Sequence, residues 1–331
     1  MNKVAITMGE PGGIGPEIIV KALFCTEIRG CCSPVVIGDI EVIKRAVKLT
    51  GLSLRVRTVS NLSDLKPSTG KSGSTRTEIE VLDVKSPSPF KKGVASKNAG
   101  RAVVKYIKKA VELALRKEIK AIVTAPISKE SLKMAGYQWH GHTELLAELT
   151  KTKNFAMMFV SERLKIILST IHISIKDVPR VINEKLVLRT IRLAKRGAEM
   201  LGINNPHIAV AGLNPHAGES GLFGREEVKA IIPAVRKASK EGLKILGPYP
   251  PDVVFYKAYR GDFDIVVCMY HDQGLIPFKM LAFDTGVNVT VGLPIIRTSP
   301  AHGTGFDIAW KNRANPSSMI EAIKLASRLK P

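Results

Sequence analysis

Short apolar runs alternate with stretches of helical periodicity along most of this 331-residue chain. VAIT (4–7) leads into a glycine-rich turn and a helix starting near Pro16, a residue suited to the first helical position. PVVIGDI (34–40) precedes EVIKRAVKLTG, which stops at Gly51 as a glycine-capped helix does. Between Lys91 and Lys120, Val104, Ile107, Val111 and Leu115 form an apolar stripe, which predicts an amphipathic helix. IKAIVTAPI (119–127) follows, and further strand-like runs stand at 165–173, 207–213, 264–270 and 287–293. Strands alternating with helices predict an α/β fold on a largely parallel sheet. Ser53–Ser96 breaks the alternation, and LKPSTGKSGSTRTE within it reads as an exposed loop. No internal repeat or low-complexity tail is present.

Length predicts two domains or lobes. Composition is that of an ordinary globular protein, 45% hydrophobic and 24% charged. No apolar run reaches the roughly 18 residues that span a membrane. MNKVAITMGE lacks a signal-peptide core, so a soluble cytoplasmic protein with no membrane partner is expected. Cys25, Cys31, Cys32 and Cys268 form neither a CxxC pair nor a disulfide framework, which fits a reducing compartment. The net charge of +21 raises the question of nucleic acid. Its lysines and arginines are dispersed, however, aromatics are 5%, and no nucleic-acid motif is present, so nucleic acid is not an expected partner.

Three imidazoles sharpen the picture. His172, His216 and His271 end or follow the runs KIILSTIHI (165–173), HIAVAGLNPHAGE (207–219) and DIVVCMYHDQG (264–274). Ligand chemistry gathers at the carboxyl ends of parallel strands. Three histidines there, with Asp272 beside the last, suit a catalytic divalent-metal site with an open position. Any one alone is better read as a polar cap on a strand end, whereas three in this pattern are not.

Other candidates sit at strand–helix junctions. MGEPGGIGPEI (8–18) is neither a dinucleotide fingerprint nor a P-loop, but its glycines admit a ligand near a helix N-terminus. In WHGHTELLAE, His142 and Thr143 can face a phosphate or carboxylate, although Thr143 could instead be a helix N-cap. Lys279, Asn288 and Arg297 stand near turns or strand ends, where a lysine and a bidentate arginine can hold anionic groups. SPAHGTGFDIAWKNRANPSSMI (299–320) is a loop suited to a nucleotide, closed by Asn-Pro before the last helix.

Together MGEPGGIGPEI, TAPISKE, GHTELLAE, GLNPHAGESGLFGREE, YHDQGLIPFK and RTSPAHGTGFDIA resemble the signature segments of the 4-hydroxythreonine-4-phosphate dehydrogenase family of pyridoxal phosphate (vitamin B6, pyridoxine) biosynthesis. They occur in the family's order over nearly the whole chain. GIGPE, HGTGFDIA and ANPSSMI are more distantly similar to isocitrate and isopropylmalate dehydrogenases, which bind NAD(P) without a Rossmann fingerprint. The resemblance implies two α/β/α lobes with mixed, largely parallel sheets. A cofactor-side lobe would comprise 1–127 and 286–331. A metal, substrate and dimerisation lobe would comprise 128–285, with the active site in the cleft between them.

It further implies that His172, His216 and His271 bind one divalent ion (zinc, magnesium or cobalt) at a homodimer interface that draws histidines from both subunits. His142, Thr143, Lys279, Asn288 and Arg297 would anchor a phosphorylated small-molecule substrate. Asp252 and Asp272 would be the catalytic acidic residues. His302, Gly303 and Asn315 would lie near the adenosine of NAD or NADP. The implied reaction is oxidation of the 3-hydroxyl of 4-phosphohydroxy-L-threonine, followed by decarboxylation of the β-keto acid. Paralogues acting on threonate or erythronate 4-phosphate carry much the same motifs. Departures from the family pattern are Glu10-Pro11-Gly12 in place of Asp-Pro-Ala, Ser128 in place of Asn, and Ala301 in place of an acid. The last leaves the choice of NAD or NADP open.

Overall fold

The computed structural model describes residues 1–65, 77–86, 90–139 and 141–331. Most of the segment read as an exposed loop, LKPSTGKSGSTRTE, lies outside the described residues. In chain order the elements used below begin with β1 (Lys3–Thr7), α1 (Gly15–Phe24), β2 (Ser33–Gly38), α2 (Ile40–Thr50), β3 (Arg55–Val59) and β4 (Glu78–Asp83). Next come α3 (Lys97–Leu115), β5 (Ala121–Thr124), α4 (Lys129–Met134), α5 (His142–Leu149), β6 (Ala156–Val160) and β7 (Lys165–Leu168). Then follow α6 (Glu184–Met200), β8 (Ile208–Ala211), α7 (Ile232–Lys240), β9 (Ile245–Tyr249), α8 (Pro251–Arg260) and β10 (Ile265–Cys268). Last are α9 (His271–Ala282), β11 (Val287–Val291), β12 (Ile296–Pro300) and α10 (Ser317–Arg328).

The chain forms two compact units, Met1–Lys153 with Leu293–Arg328, and Asn154–Gly292 with Leu329–Pro331. These bounds set residues 128–153 with the first unit, whereas the sequence division fell at 127/128. The reason is packing, since α4 and α5 both lie on α3. The first unit carries strands in the order β3-β4-β2-β1-β5-β12, every neighbouring pair parallel. The second has the order β11-β6-β7-β10-β8-β9. There β6 pairs antiparallel with both β11 and β7, and the remaining neighbours are parallel. The fold is therefore α/β with mixed, mostly parallel strands, as the alternation predicted.

Local chemistry accounts for the best-defined elements. Asp39 caps α2 by accepting the Glu41 and Val42 amides, and Gly51 closes it in the left-handed conformation. On α3, Val104, Ile107 and Val111 are buried, but Leu115 is 48% exposed, so the stripe ends one turn before the sequence reading placed it. That helix runs from Lys97, capped by Ser96, to Leu115, inside the stretch read as helical. Ser53–Ser96 is not irregular throughout, because it supplies β3 and β4 as two parallel strands. β3, RVRTV, has a mostly exposed or half-buried pattern at a sheet edge, which hid it from an apolar-run search.

Candidate active site

In the first unit, β1 breaks into α1 through Gly9, whose φ of +71° and contact with the Pro126 carbonyl leave no room for a side chain. This turn meets the predicted cofactor loop, since the Ile14 amide donates to the Thr304 carbonyl at 3.0 Å. Glu17 accepts the Trp310 amide at 2.8 Å, and the Trp310 indole donates to the Pro11 carbonyl at 3.1 Å. Lys21 donates to the carbonyls of Asn312 and Ala314. The loop carrying His302, Gly303 and Asn315 is thus clamped to the start of α1, an arrangement the sequence reading missed. Asn315 accepts from the amide and hydroxyl of Ser317 just ahead of α10. A cavity of about 480 Å³ in the same unit is bounded by Asp39, Arg45, Asp83, Lys85 and Phe90, and none of the three predicted cofactor residues lines it.

Two substrate candidates come together in this unit. Arg297 on β12 is 1% exposed and donates to the Thr124 hydroxyl at the end of β5. Burial lowers its pKa to about 9, so it stays charged at neutral pH. His142 opens α5 and is half-buried, with its Nε2 turned away from solvent. Burial first, and then the Arg297 charge, hold its pKa well below the usual imidazole range. His142 is therefore a neutral donor and acceptor, and its Nε2 has no hydrogen-bond partner among the described residues. Thr143 is buried beside it in sequence, but Gly141, not Thr143, is the N-cap.

Glu10 is a further buried group here. It is 0% exposed, and burial raises its pKa to about 7 against the weaker opposing effects of Ser131, Ser128 and Gly12. A carboxyl with a raised folded-state pKa binds its proton more tightly in the native than in the unfolded chain. Stability should therefore fall as pH rises from about 4.5 to 7, by up to roughly 3 kcal/mol at 1.36 kcal/mol per unit. Glu10→Gln should match the wild type at pH 4.5 and exceed its urea midpoint at pH 8. An equal midpoint difference at both pH values would refute this.

The second unit holds the three histidines. His172 follows β7 and His271 opens α9 directly after β10. Parallel β7 and β10 bring their ring centroids to 5.8 Å. Both line a cavity of about 250 Å³ with Ile171, Ile173, Ile175, Val178, Tyr270 and Asp272. The Nδ1–H of His271 donates to Asp272 Oδ1 at 2.6 Å, which leaves the Nε2 lone pair for a ligand. Gln273 braces the strand ends, accepting the Met269 amide and donating to the Gly212 carbonyl.

His216 does not join the pair. It lies on a turn where His216, Ala217, Gly218, Glu219 and Ser220 all take left-handed backbone conformations, and its ring packs 5.9 Å from Phe223. Each non-glycine residue there is disfavoured by roughly 1–2 kcal/mol. Among the described residues no three His, Cys, Asp or Glu side chains converge as a metal site. One protomer thus brings His172 and His271 together without His216, and their imidazole nitrogens are of a kind that could bind a divalent ion.

Asp252 is exposed in the first turn of α8, which packs against the His216 turn. Asn288 on β11 is 8% exposed, with an Oδ1 that has no hydrogen-bond partner among the described residues. Lys279 is exposed late in α9. On the same helix and its end, Ile276, Met280 and Phe283 form an exposed apolar stripe at i, i+4 and i+7.

Residues 30–326 match the family described as "Pyridoxal phosphate biosynthetic protein PdxA". The chain is 47% identical over 325 residues to a 4-hydroxythreonine-4-phosphate dehydrogenase of Desulforapulum autotrophicum, covering 98% of this chain and 94% of that protein. It is 43% identical over 333 residues to a D-threonate 4-phosphate dehydrogenase of Pectobacterium atrosepticum, covering 99% and 100%. Its fold superposes on a crystal structure of 4-hydroxythreonine-4-phosphate dehydrogenase from Klebsiella pneumoniae with a TM-score of 0.89, at 41% identity over 99% and 97% of the two chains. An isocitrate dehydrogenase from Methylococcus capsulatus shares the fold alone, at 16% identity and a TM-score of 0.50 over 99% and 88%. No described helix is long and apolar enough to cross a membrane. The family match and these relatives lead to one assignment: the chain belongs to the PdxA family and is a dehydrogenase of that family.

Proposed function

We propose that the protein oxidises 4-phosphohydroxy-L-threonine to 2-amino-3-oxo-4-(phosphooxy)butanoate, which decarboxylates to 3-amino-2-oxopropyl phosphate in cytoplasmic pyridoxal 5'-phosphate biosynthesis. The observation that carries this reading is the His271 imidazole, held by Asp272 with Nε2 open and His172 beside it. When bound, a divalent ion supplies Lewis-acid stabilisation of developing oxygen charge, and the nicotinamide of NAD or NADP accepts hydride. His172 and His271 of one subunit and His216 of the partner subunit would hold that ion. Asp272 keeps His271 in the ligating tautomer; with Asp252 it belongs to the acidic pair of the site.

On this reading Arg297 and Lys279 balance the substrate's phosphate and carboxylate. Neutral His142, with Thr143 and Asn288, supplies directional hydrogen bonds that add no charge. His302, Gly303 and Asn315 face the adenosine side of the cofactor. The exposed Ile276, Met280 and Phe283 stripe supports a homodimer, because a lone subunit would leave that face in water.

A second reading, D-threonate or D-erythronate 4-phosphate as substrate, is favoured by relatives of comparable identity that carry the threonate name. Those substrates keep the phosphate, hydroxyl and carboxylate and lack only the amino group. NADH formation from both substrate types, with and without chelator, separates the readings. Turnover is expected with 4-phosphohydroxy-L-threonine and is abolished by chelator. Faster turnover of erythronate or threonate 4-phosphate would transfer the assignment to the second reading.

A further inference from the structure

Five consecutive left-handed residues do not hold their shape unaided, and the turn bearing His216 is built on one buried carboxylate. Glu227 is 1% exposed. Its Oε1 accepts the Leu213 amide at 2.7 Å and the Asn214 amide at 2.8 Å. Its Oε2 accepts the Asn214 side-chain amide at 2.8 Å. All three partners are N–H donors, which suits an ionised, acceptor-only carboxylate. The turn rests directly on it: a Cβ at Gly218 would lie 2.6 Å from Glu227 Oε2. Glu227 also opens a π-helical turn, Glu227–Ile231, a local distortion frequent at functional sites.

We propose that Glu227 is a positioning residue whose carboxylate fixes the left-handed turn and thereby the direction in which His216 is presented to the metal. The proposal rests on His216 being a metal ligand, as read above. Glu227 touches neither substrate nor ion on this account. It sets metal affinity by holding the ligand's backbone, while β8, which runs into the turn, keeps its own ladder with β10 and β9.

The test uses the purified full-length protein, with cobalt(II) alone as probe in equilibrium dialysis and hydrogen exchange read segment by segment. Glu227→Gln is expected to weaken cobalt(II) binding 10–100-fold, the usual scale for groups that orient a metal ligand. It should speed exchange about tenfold or more in residues 213–221 and leave β8 unchanged. Gly218→Ala, which displaces the carboxylate from the opposite side, should produce the same pattern and decides the matter if Glu227→Gln does not fold. Wild-type cobalt(II) affinity in either folded variant overturns the proposal, as does exchange that accelerates equally in β8. If the wild type binds no cobalt(II), the metal reading fails instead, and the exchange contrast still decides whether Glu227 holds the turn.

Discussion

His216→Ala is expected to abolish metal-dependent NADH formation while leaving the protein folded. His216 is exposed, so its side chain adds little to the core, and alanine tolerates its left-handed conformation only somewhat less well than histidine. Stability should change by no more than about 1 kcal/mol. Activity is a different matter. Removing one of three imidazole ligands leaves two, too few for the site the family resemblance implies. Lewis-acid stabilisation worth roughly 4 kcal/mol corresponds to about 10³-fold in rate. Turnover, circular dichroism and bound cobalt(II) measured on one preparation check this. A folded, metal-free variant that turns over at the wild-type rate would remove His216 from the site.

The second large effect concerns the apolar stripe. Met280 is 83% and Phe283 67% exposed, too much for large apolar side chains on a face that stays in water. Met280→Asp with Phe283→Asp should give a folded monomer with no measurable turnover. Two lost side chains, counted twice by two-fold symmetry, remove roughly 6 kcal/mol or more at about 1.5–3 kcal/mol each. Sedimentation and the coupled assay report mass and activity together. A monomer of wild-type activity would show that a single chain suffices, and an unchanged dimer would place the interface elsewhere.

Much of the fold could be read from the chain because β1, β2, β5, β7, β8 and β10 are built on short apolar runs and β11, VNVTV, alternates valine with polar residues. Two of the strands that escaped have a physical reason to look different, whereas β6, AMMFV, is a plain apolar run that was passed over. β9, ILGPY, contains a proline, and β12, IRTSP, buries Arg297 where an apolar residue was expected. In β12 the departure from pattern marks the candidate site itself. The histidines were visible as strand-end imidazoles, and Asp272 as the neighbour of one. The left-handed turn was not, because four of its five residues are not glycine. Nor could spacing show that Glu10, Gln273 and Glu227 would be buried where they are. Their partners stand far off in sequence or act through backbone amides.

The central claim is a metal site shared between subunits, with His216 and His271 contributed by different chains. Heterodimers of His216→Ala and His271→Ala subunits, isolated through two different affinity tags, test it most directly. Each variant alone should be inactive. The heterodimer unites both lesions in one site and leaves the other whole, so it should recover about half the wild-type turnover. A heterodimer as inactive as its parents would contradict the claim, because it would mean that each chain supplies both histidines to its own site.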